Sequence, residues 1–124
     1  MTLKAFAESY NFHDSSIVSM EYFQDTGNLV VCIELCNLMQ SNYTPDMEDT
    51  TLIYLCFANA DYIKNIEQYR DAEILKCEHI NEDGFAELHI FAGLWVDPRH
   101  VGVAGVETYV SFVIRASSVS VMRK

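Results

Sequence analysis

The sequence predicts a mainly β fold (α+β at most): a single antiparallel meander of about seven strands that forms a half-barrel or a small sandwich, with one short helix or helical turn. After residue 10, apolar and polar residues alternate at a period of two in several segments, and turn-forming residues separate these segments. No long helical pattern alternates with the strands, as a parallel α/β sheet would require. The length of 124 residues is typical of one domain, so we expect residues 1–124 to form a single domain.

The first elements are a short helix and a hairpin. Apolar or aromatic residues at positions 3, 6, 7 and 10 have helical spacing, which predicts a short helix or turn at the start. Residues 17–23 predict a strand, and residues 25–28 contain the Asp, Gly and Asn that favour a tight turn. The next strand alternates, with predicted inward side chains at Leu29, Val31, Ile33 and Leu35.

The middle of the chain predicts a central strand and a second hairpin. Residues 37–50 are polar and contain Pro45, so we expect a long connection, whereas residues 51–57 are apolar on both faces, as in a strand covered on both sides. Residues 59–71 suit a helical turn or a packed loop. Residues 73–80 and 85–92 flank a loop with Gly84. A four-residue loop would pair Leu75 with Ile90, Cys77 with Leu88 and His79 with Ala86.

The last part of the chain predicts a loop and two strands. Residues 95–105 contain Pro98 and two glycines and are typical of a loop. Residues 106–116 and 119–122 predict strands. We expect the last strand at a sheet edge, where Arg123 and Lys124 discourage pairing with other chains.

The composition indicates a folded, acidic protein. Half of the residues are apolar, which is enough to form a core without a disulfide or a metal. Eighteen acidic residues outnumber eight basic ones, giving a formal net charge of −10. This charge repels phosphate backbones and anionic lipid, which argues against nucleic acid and membrane as partners, and it would speed encounter with a basic protein. Solubility alone is an alternative reason for the charge.

The cysteines and the start of the chain indicate a cytoplasmic location. The first residues lack the basic and apolar pattern of a secretory signal, and the longest apolar run, residues 52–58, is too short for a membrane span. The four cysteines lie in apolar segments without Cys-x-x-Cys or zinc-finger spacing. We therefore expect buried, reduced thiols and no bound metal.

His13 and Asp14 are candidates for a site before the first predicted strand. An adjacent His and Asp could support proton transfer. Neighbouring residues on an extended chain point to opposite sides, however, so a structural role is favoured, with His13 packed or bonded to a carbonyl and Asp14 or Ser15 capping the turn. His79 and His89 fall on opposite faces of the second hairpin with any even-length loop, which argues against a shared metal ion.

Two further groups have the composition of a recognition surface. Trp95, Arg99 and His100 lie near Asp97 in a predicted loop, and Trp and Arg are frequent anchors of interfaces. The alternative is that Trp95 plugs one end of the core and Arg99 pairs with a carboxylate. The acidic residues of the long connection, which could grip a basic partner, bind a cation or simply be solvated, are Asp46, Glu48 and Asp49.

Motifs of known enzyme classes are missing. The sequence contains no phosphate-binding glycine loop, no dinucleotide-binding fingerprint, no nucleophile-elbow motif, no His-Glu-x-x-His and no EF-hand pattern. We therefore expect no catalytic residues and no cofactor.

Residues 11–22, Asn-Phe-His-Asp-Ser-Ser-Ile-Val-Ser-Met-Glu-Tyr, resemble the opening of small uncharacterised bacterial proteins. In those proteins a Phe/Leu-His-Asp-Ser/Ala motif leads into a first strand, and a hairpin such as residues 28–35 follows. Some of them are similar to immunity proteins of bacterial toxin systems. The resemblance covers a minor part of the chain and implies an inhibitory binder of a toxin, with the motif closing the fold. It transfers no contact residues.

Three functional hypotheses follow. The leading one is a protein-binding domain, whose specific form is an immunity-type inhibitor that covers a basic toxin surface. The second is a small-ligand-binding or enzymatic half-barrel, in which His13, Asp14, Arg99 and His100 converge on a pocket. The third is a structural subunit that oligomerises through its last strand. The sequence leaves the oligomeric state open.

Overall fold

The computed structural model describes residues 1–82, 85–95 and 107–123. Within this part of the chain there are one helix, seven strands and two short 3-10 turns, at Asn37–Met39 and Ile66–Tyr69. The helix and strands are α1 (Leu3–Ser9), β1 (Ser15–Phe23), β2 (Asn28–Cys36), β3 (Thr50–Ala58), β4 (Glu73–Glu82), β5 (Phe85–Trp95), β6 (Glu107–Arg115) and β7 (Ser118–Arg123). The predicted fold class, mainly β with one short helix, is confirmed.

All seven strands belong to one antiparallel sheet with the order β6-β5-β4-β1-β2-β3-β7. Strands β1 to β3 form one consecutive meander and β4 to β6 form another. A short pairing joins the two halves, in which Ser15 lies opposite Ile74 and Ser16 opposite Glu73. Strand β7 returns to pair with β3, so the last strand lies at an edge, as predicted.

The sheet is strongly curled, although it is not closed. Strands β6 and β7 are its opposite edges, yet only Ala116 and Ser117 separate them in the chain. Seven flat strands would set these edges about 29 Å apart, whereas three peptide units span at most about 11 Å. The Ala116 N–H donates to Ala86 O at 3.3 Å, and the Ser117 N–H donates to Ala58 O at 2.9 Å. The described strands therefore form a half-barrel whose two edges meet at one end, and not a sandwich.

The core fills the concave face of the half-barrel, and α1 lies against β4, β5 and β7. The Thr2 hydroxyl caps the helix by accepting from the Ala5 N–H at 3.1 Å. The Phe6 ring is fully buried, with its centroid 5.2 Å from Phe12 and 6.0 Å from Phe57. The inward side chains predicted for the second strand are buried as expected, namely Leu29, Val31, Ile33 and Leu35. In the part of the chain that the structure describes, no helix is long and apolar enough to cross a membrane.

The second hairpin forms as predicted, but its predicted register is wrong by two residues. Strand β4 continues to Glu82 and β5 begins at Phe85, so the loop has two residues instead of four. Cys77 therefore lies opposite Ile90 and His79 opposite Leu88. Because the shift is even, Cys77 and Ile90 keep the same face of the sheet. A bulge at Leu75 shifts the register by one residue, so that Ile74 lies opposite Ala92 and Lys76 lies opposite Phe91.

Strand β3 also differs from its prediction. Its concave side chains, those of Ile53, Leu55 and Phe57, are buried, whereas Leu52, Tyr54 and Cys56 on the outer face are only partly buried. The expectation of a strand covered on both faces is therefore wrong. The expectation of buried thiols holds for Cys32 and Cys36 but not for Cys56 and Cys77, which are partly exposed; all four are free thiols.

Candidate interaction surface

His13 and Asp14 lie in the turn between α1 and β1, and they approach each other. The prediction that they point apart is wrong because Asp14 has a φ of 65°, so the chain turns here instead of running extended. His13 Nε2 lies 3.5 Å from Asp14 Oδ1, and both side chains are about half exposed. His13 Nδ1 lies 3.1 Å from the carbonyl oxygen of Leu75, which belongs to the β4 bulge. The ring therefore makes the carbonyl contact expected of a structural residue.

The neighbours of His13 attach β1 to the rest of the sheet. Phe12 is buried in the core, and the Asp14 N–H donates to Ile74 O at 3.1 Å. The fully buried Ser15 hydroxyl accepts from the Cys36 N–H at 2.9 Å. Residues 12–15 thus bond to both β4 and β2, at the place where the two halves of the sheet join.

The acidic connection between β2 and β3 has a fixed backbone and exposed carboxylates. The buried Asn37 side chain donates to Glu48 O at 2.9 Å, and the Asn37 N–H donates to Asp49 O at 2.8 Å. The Thr44 hydroxyl donates to Asp46, and this hydrogen bond, followed by one from the backbone, lowers the pKa of the Asp46 carboxyl. The side chains of Asp46, Glu48 and Asp49 remain exposed. This geometry presents fixed negative charge to solvent.

A run of apolar side chains lies on the outer, convex face of β2, β3 and β7. Cys32 lies opposite Tyr54, and Tyr54 lies opposite Met122, which is 62% exposed. In the next row along the strands, Val30 lies opposite Cys56, and Cys56 lies opposite the exposed, polar Ser120. We call this surface the outer patch; its accessible members are Val30, Leu52, Tyr54, Cys56 and Met122, and Cys32 is buried within it.

Acidic residues border the outer patch. Exposed Glu21 of β1 lies opposite Val30, and exposed Glu34 lies opposite Leu52. Asp49 precedes β3 and is three residues from Leu52, which corresponds to about 10 Å along a strand. We call Glu21 and Glu34, together with the exposed Asp46, Glu48 and Asp49 of the connection that leads into β3, the acidic rim.

The sequence contained a signal for the outer patch, but it pointed to another structure. Residues 51–57 are apolar on both faces of the strand, and this pattern predicts a strand that is covered on both sides. The same pattern also arises when one apolar face is left for a partner. Of the acidic residues predicted to bind a partner, Asp49 lies three residues before Leu52 of the outer patch.

The remaining candidate residues are separated or lie outside the described ranges. His79 and His89 lie on opposite faces of the β4–β5 hairpin, as predicted, because they pair with Leu88 and Glu78 respectively. Trp95 is the last residue of β5, so the prediction of a loop is wrong for this position. Arg99 and His100 lie outside the described residues, and their convergence with His13 and Asp14 stays a prediction.

No protein-family model matches the chain, and no match is found among curated proteins or among solved structures.

Proposed function

We propose that this protein is a protein-binding domain that recognises a basic partner through the outer patch and its acidic rim. The observation that supports it most is the cross-strand row Cys32–Tyr54–Met122, in which a partly exposed tyrosine and an exposed methionine lie side by side. Protein interfaces typically have an apolar centre enriched in Tyr and Met and a polar rim. The outer patch and the acidic rim have this arrangement.

The composition of the outer face supports a binding role over a purely solvated one. The solvent side of an antiparallel sheet usually carries polar residues that alternate with the core residues. In β3 the outer positions between Thr50 and Ala58 are Leu52, Tyr54 and Cys56, without a single charge. A rigid three-stranded surface of this kind offers area for contact without a large ordering cost.

The charge of the protein supports a basic partner. Glu21 and Glu34 of the acidic rim lie opposite Val30 and Leu52 of the outer patch, and the whole chain has a formal charge of −10. Like charges across an interface would oppose an acidic partner, whereas a basic protein would be steered toward the surface during encounter. The acidic rim would mainly determine the association rate of the complex, and the outer patch would mainly determine its dissociation rate.

The more specific form of the proposal is an immunity-type inhibitor of a bacterial toxin. It is supported by the resemblance of residues 11–22 to small bacterial proteins, some of which are similar to immunity proteins. In this form the partner is a basic toxin, encoded next to this protein, whose active surface is covered on binding. Expression of the neighbouring gene alone should then arrest growth, and co-expression of this protein should restore it.

The test is affinity purification of the tagged protein from its native cells, followed by quantitative mass spectrometry. We expect one basic protein at about equal molar amount with the wild-type protein. The double variant Tyr54→Ser/Met122→Ser should lose it. The matched control is Tyr62→Ser, since Tyr62 is also 62% exposed but lies in the loop after β3, outside the patch.

Charge reversal at Asp46, Glu48 and Asp49 separates the rim from the patch. It should slow association of the captured partner by roughly tenfold at low salt and change dissociation little. Repeated recovery of the wild-type protein alone, or equal capture by the double variant and the control, would contradict the proposed binding surface.

A further inference from the structure

We propose that two copies of this chain associate as a two-fold dimer by antiparallel pairing of their β6 strands, with Ser111 opposite Ser111 of the second copy. This pairing uses a sheet edge in the β4–β6 half of the molecule. It is therefore independent of the outer patch, which lies on β2, β3 and β7.

The backbone of β6 presents its hydrogen-bonding groups to the outside of the sheet. The Asp61 N–H donates to Arg115 O at 2.9 Å, whereas the next amide, Ala116 N–H, turns back to Ala86 O of β5. Backbone groups alternate in direction along a strand, so those of residues 109, 111 and 113 point the same way as those of Arg115, away from β5. Among the described residues, no backbone group bonds to them.

The other edge of the sheet is partly occupied. The Val119 N–H of β7 donates to Met1 O at 3.0 Å, and the Met1 amino group donates to Val119 O at 2.9 Å. The first residue of the chain thus pairs with the outward groups at the middle of the β7 edge. Of the two edges, β6 has the longer run of outward groups without a described partner.

The sequence of β6 lacks the features by which edge strands usually avoid pairing. Natural edges are blunted by charges, proline, bulges or short length. Residues 108–114 contain no charged residue, proline or glycine, and the pairing of β6 with β5 runs over nine residues without a bulge. Tyr109 is 70% and Val113 is 39% exposed. Such an edge is a template for another strand.

The strand is complementary to itself in one antiparallel register. With Ser111 on the two-fold axis, Tyr109 lies opposite Val113 of the second copy, and aromatic and β-branched residues form favourable cross-strand pairs. Positions 109, 111 and 113 are odd-numbered, so their outward groups can exchange hydrogen bonds in pairs, whereas the Arg115 carbonyl already accepts from the Asp61 N–H. Moving the two-fold axis by two residues along the strand would instead place Tyr109 or Val113 opposite itself.

The first test is a symmetric cross-link. In this register the two Ser111 Cα atoms would be about 5.5 Å apart, within the range of about 4.4–6.8 Å that a disulfide spans. Ser111→Cys should form a disulfide-linked dimer in a glutathione redox buffer. The control Tyr109→Cys also exposes a thiol on β6, but its two copies would be more than about 13 Å apart. Equal yields from the two variants, or no dimer from Ser111→Cys, would overturn the register.

The second test removes the pairing and keeps the fold. Ser111→Pro deletes an N–H that points away from β5, and proline is tolerated on edge strands at such positions. In sedimentation equilibrium we expect the wild-type mass to rise from 14.2 kDa toward twice that value with concentration. One paired edge buries less than about 1,000 Å², so half-association is expected at micromolar concentrations or above.

Ser111→Pro should remain at the mass of one chain with an unchanged circular-dichroism spectrum. Should that variant lose its fold, Val113→Lys serves in its place, because a lysine at an exposed edge position opposes pairing. A wild-type protein that stays monomeric at all concentrations, or a dimer that persists in the folded variants, would refute the proposal. Failure to capture a partner through the outer patch would not affect the proposal of a β6–β6 dimer.

Discussion

At the scale of single residues, the fold depends on a few buried polar groups. Ser15 and Asn37 are buried and flank the place where β1, β2 and the acidic connection meet. The Ser15 hydroxyl accepts from the Cys36 N–H, and the Asn37 amide bridges Glu48 O and Thr51 Oγ1. A buried group that loses its partner costs more than the net value of one hydrogen bond, because it is neither solvated nor bonded.

Ser15→Ala tests this role of the hydroxyl. It leaves the Cys36 N–H without its acceptor in a fully buried position, so we expect the free energy of unfolding to fall by about 1–3 kcal/mol. The control is Ser19→Ala, because Ser19 lies in the same strand but is exposed. Urea denaturation of the three proteins measures the difference. Equal losses from the two variants would mean that the hydroxyl is not needed.

A second residue-scale prediction concerns Cys77. Burial, followed by the charge of Glu78, raises the pKa of the Cys77 thiol from 9.0 to about 12. The folded state therefore holds this proton more tightly than the unfolded state. The contribution to stability is fully present below pH 9 and is lost as the pH rises from about 9 toward 12.

The measurement for Cys77 is a pair of denaturation series from pH 8 to 11. The wild-type protein should lose more free energy of unfolding than Cys77→Ala, by on the order of 2 kcal/mol at pH 11. The variant carries the same tyrosines and lysines and so corrects for their ionisation. Parallel curves would show that the thiol titrates normally.

The turn at His13 shows why the local geometry of this candidate site could not be predicted from the sequence. The prediction that His13 bonds a carbonyl oxygen is confirmed by its contact with Leu75 O. The prediction that the His13 and Asp14 side chains point apart is wrong. An extended chain was assumed, whereas Asp14 takes a positive φ, which Asp adopts more readily than most residues. This backbone conformation is stabilised by long-range hydrogen bonds, here the one from the Asp14 N–H to Ile74 O, which the local sequence does not reveal.

At the scale of elements, the hairpins show which strand pairings the sequence could predict. The β1–β2 hairpin was predicted from Gly27 and the alternation after it, since both are local signals. The predicted β4–β5 register is wrong because β4 continues through the polar residues Asn81 and Glu82, and the bulge at Leu75 removes that residue from its predicted pairing with Ile90. A bulge has no sequence signature of its own, and polar residues near a turn are usually assigned to the loop.

Gly27→Ala tests the first turn. Gly27 has a φ of +73°, and an added Cβ would meet nothing closer than the Asn59 Cα at 4.0 Å. The cost is therefore backbone strain alone, about 1–2 kcal/mol. Gly27→Asn should cost less, because Asn tolerates positive φ better than Ala. Equal destabilisation by the two residues would place the cost in lost space instead of strain.

At the scale of the whole molecule, two meanders share one core although few bonds join them. Strands β1 and β4 pair only at Ser15 and Ser16, and β7 reaches β3 from the other end of the chain. The fold class could be predicted because each strand carries its own alternation. The strand order could not, because it depends on these long-range pairings. The outer patch could not be predicted either, because only the assembled half-barrel determines which apolar face of β3 stays on the outside.

The net charge leads to a prediction for the molecule as a whole. With eighteen acidic and eight basic residues, carboxylates outnumber basic groups by ten; among the described residues, Arg115 contacts both Glu87 and Asp61, and Lys76 contacts Glu78. Repulsion among the remaining charges destabilises the compact state, and salt screens it. Raising NaCl from about 0.02 M to about 0.3 M should therefore raise the melting temperature by about 2–4 °C.

The variant Glu48→Gln/Asp49→Asn shows whether the acidic rim contributes to this repulsion. It removes two exposed carboxylates and leaves the Thr44–Asp46 hydrogen bond in place. We expect a higher melting temperature than the wild type at low salt and a smaller response to NaCl, because less repulsion remains to be screened. A wild-type melting temperature that falls with added salt would mean that ion pairs outweigh repulsion. The acidic rim would then stabilise the fold. Its charge would not be one that destabilises the protein and serves to bind a basic partner.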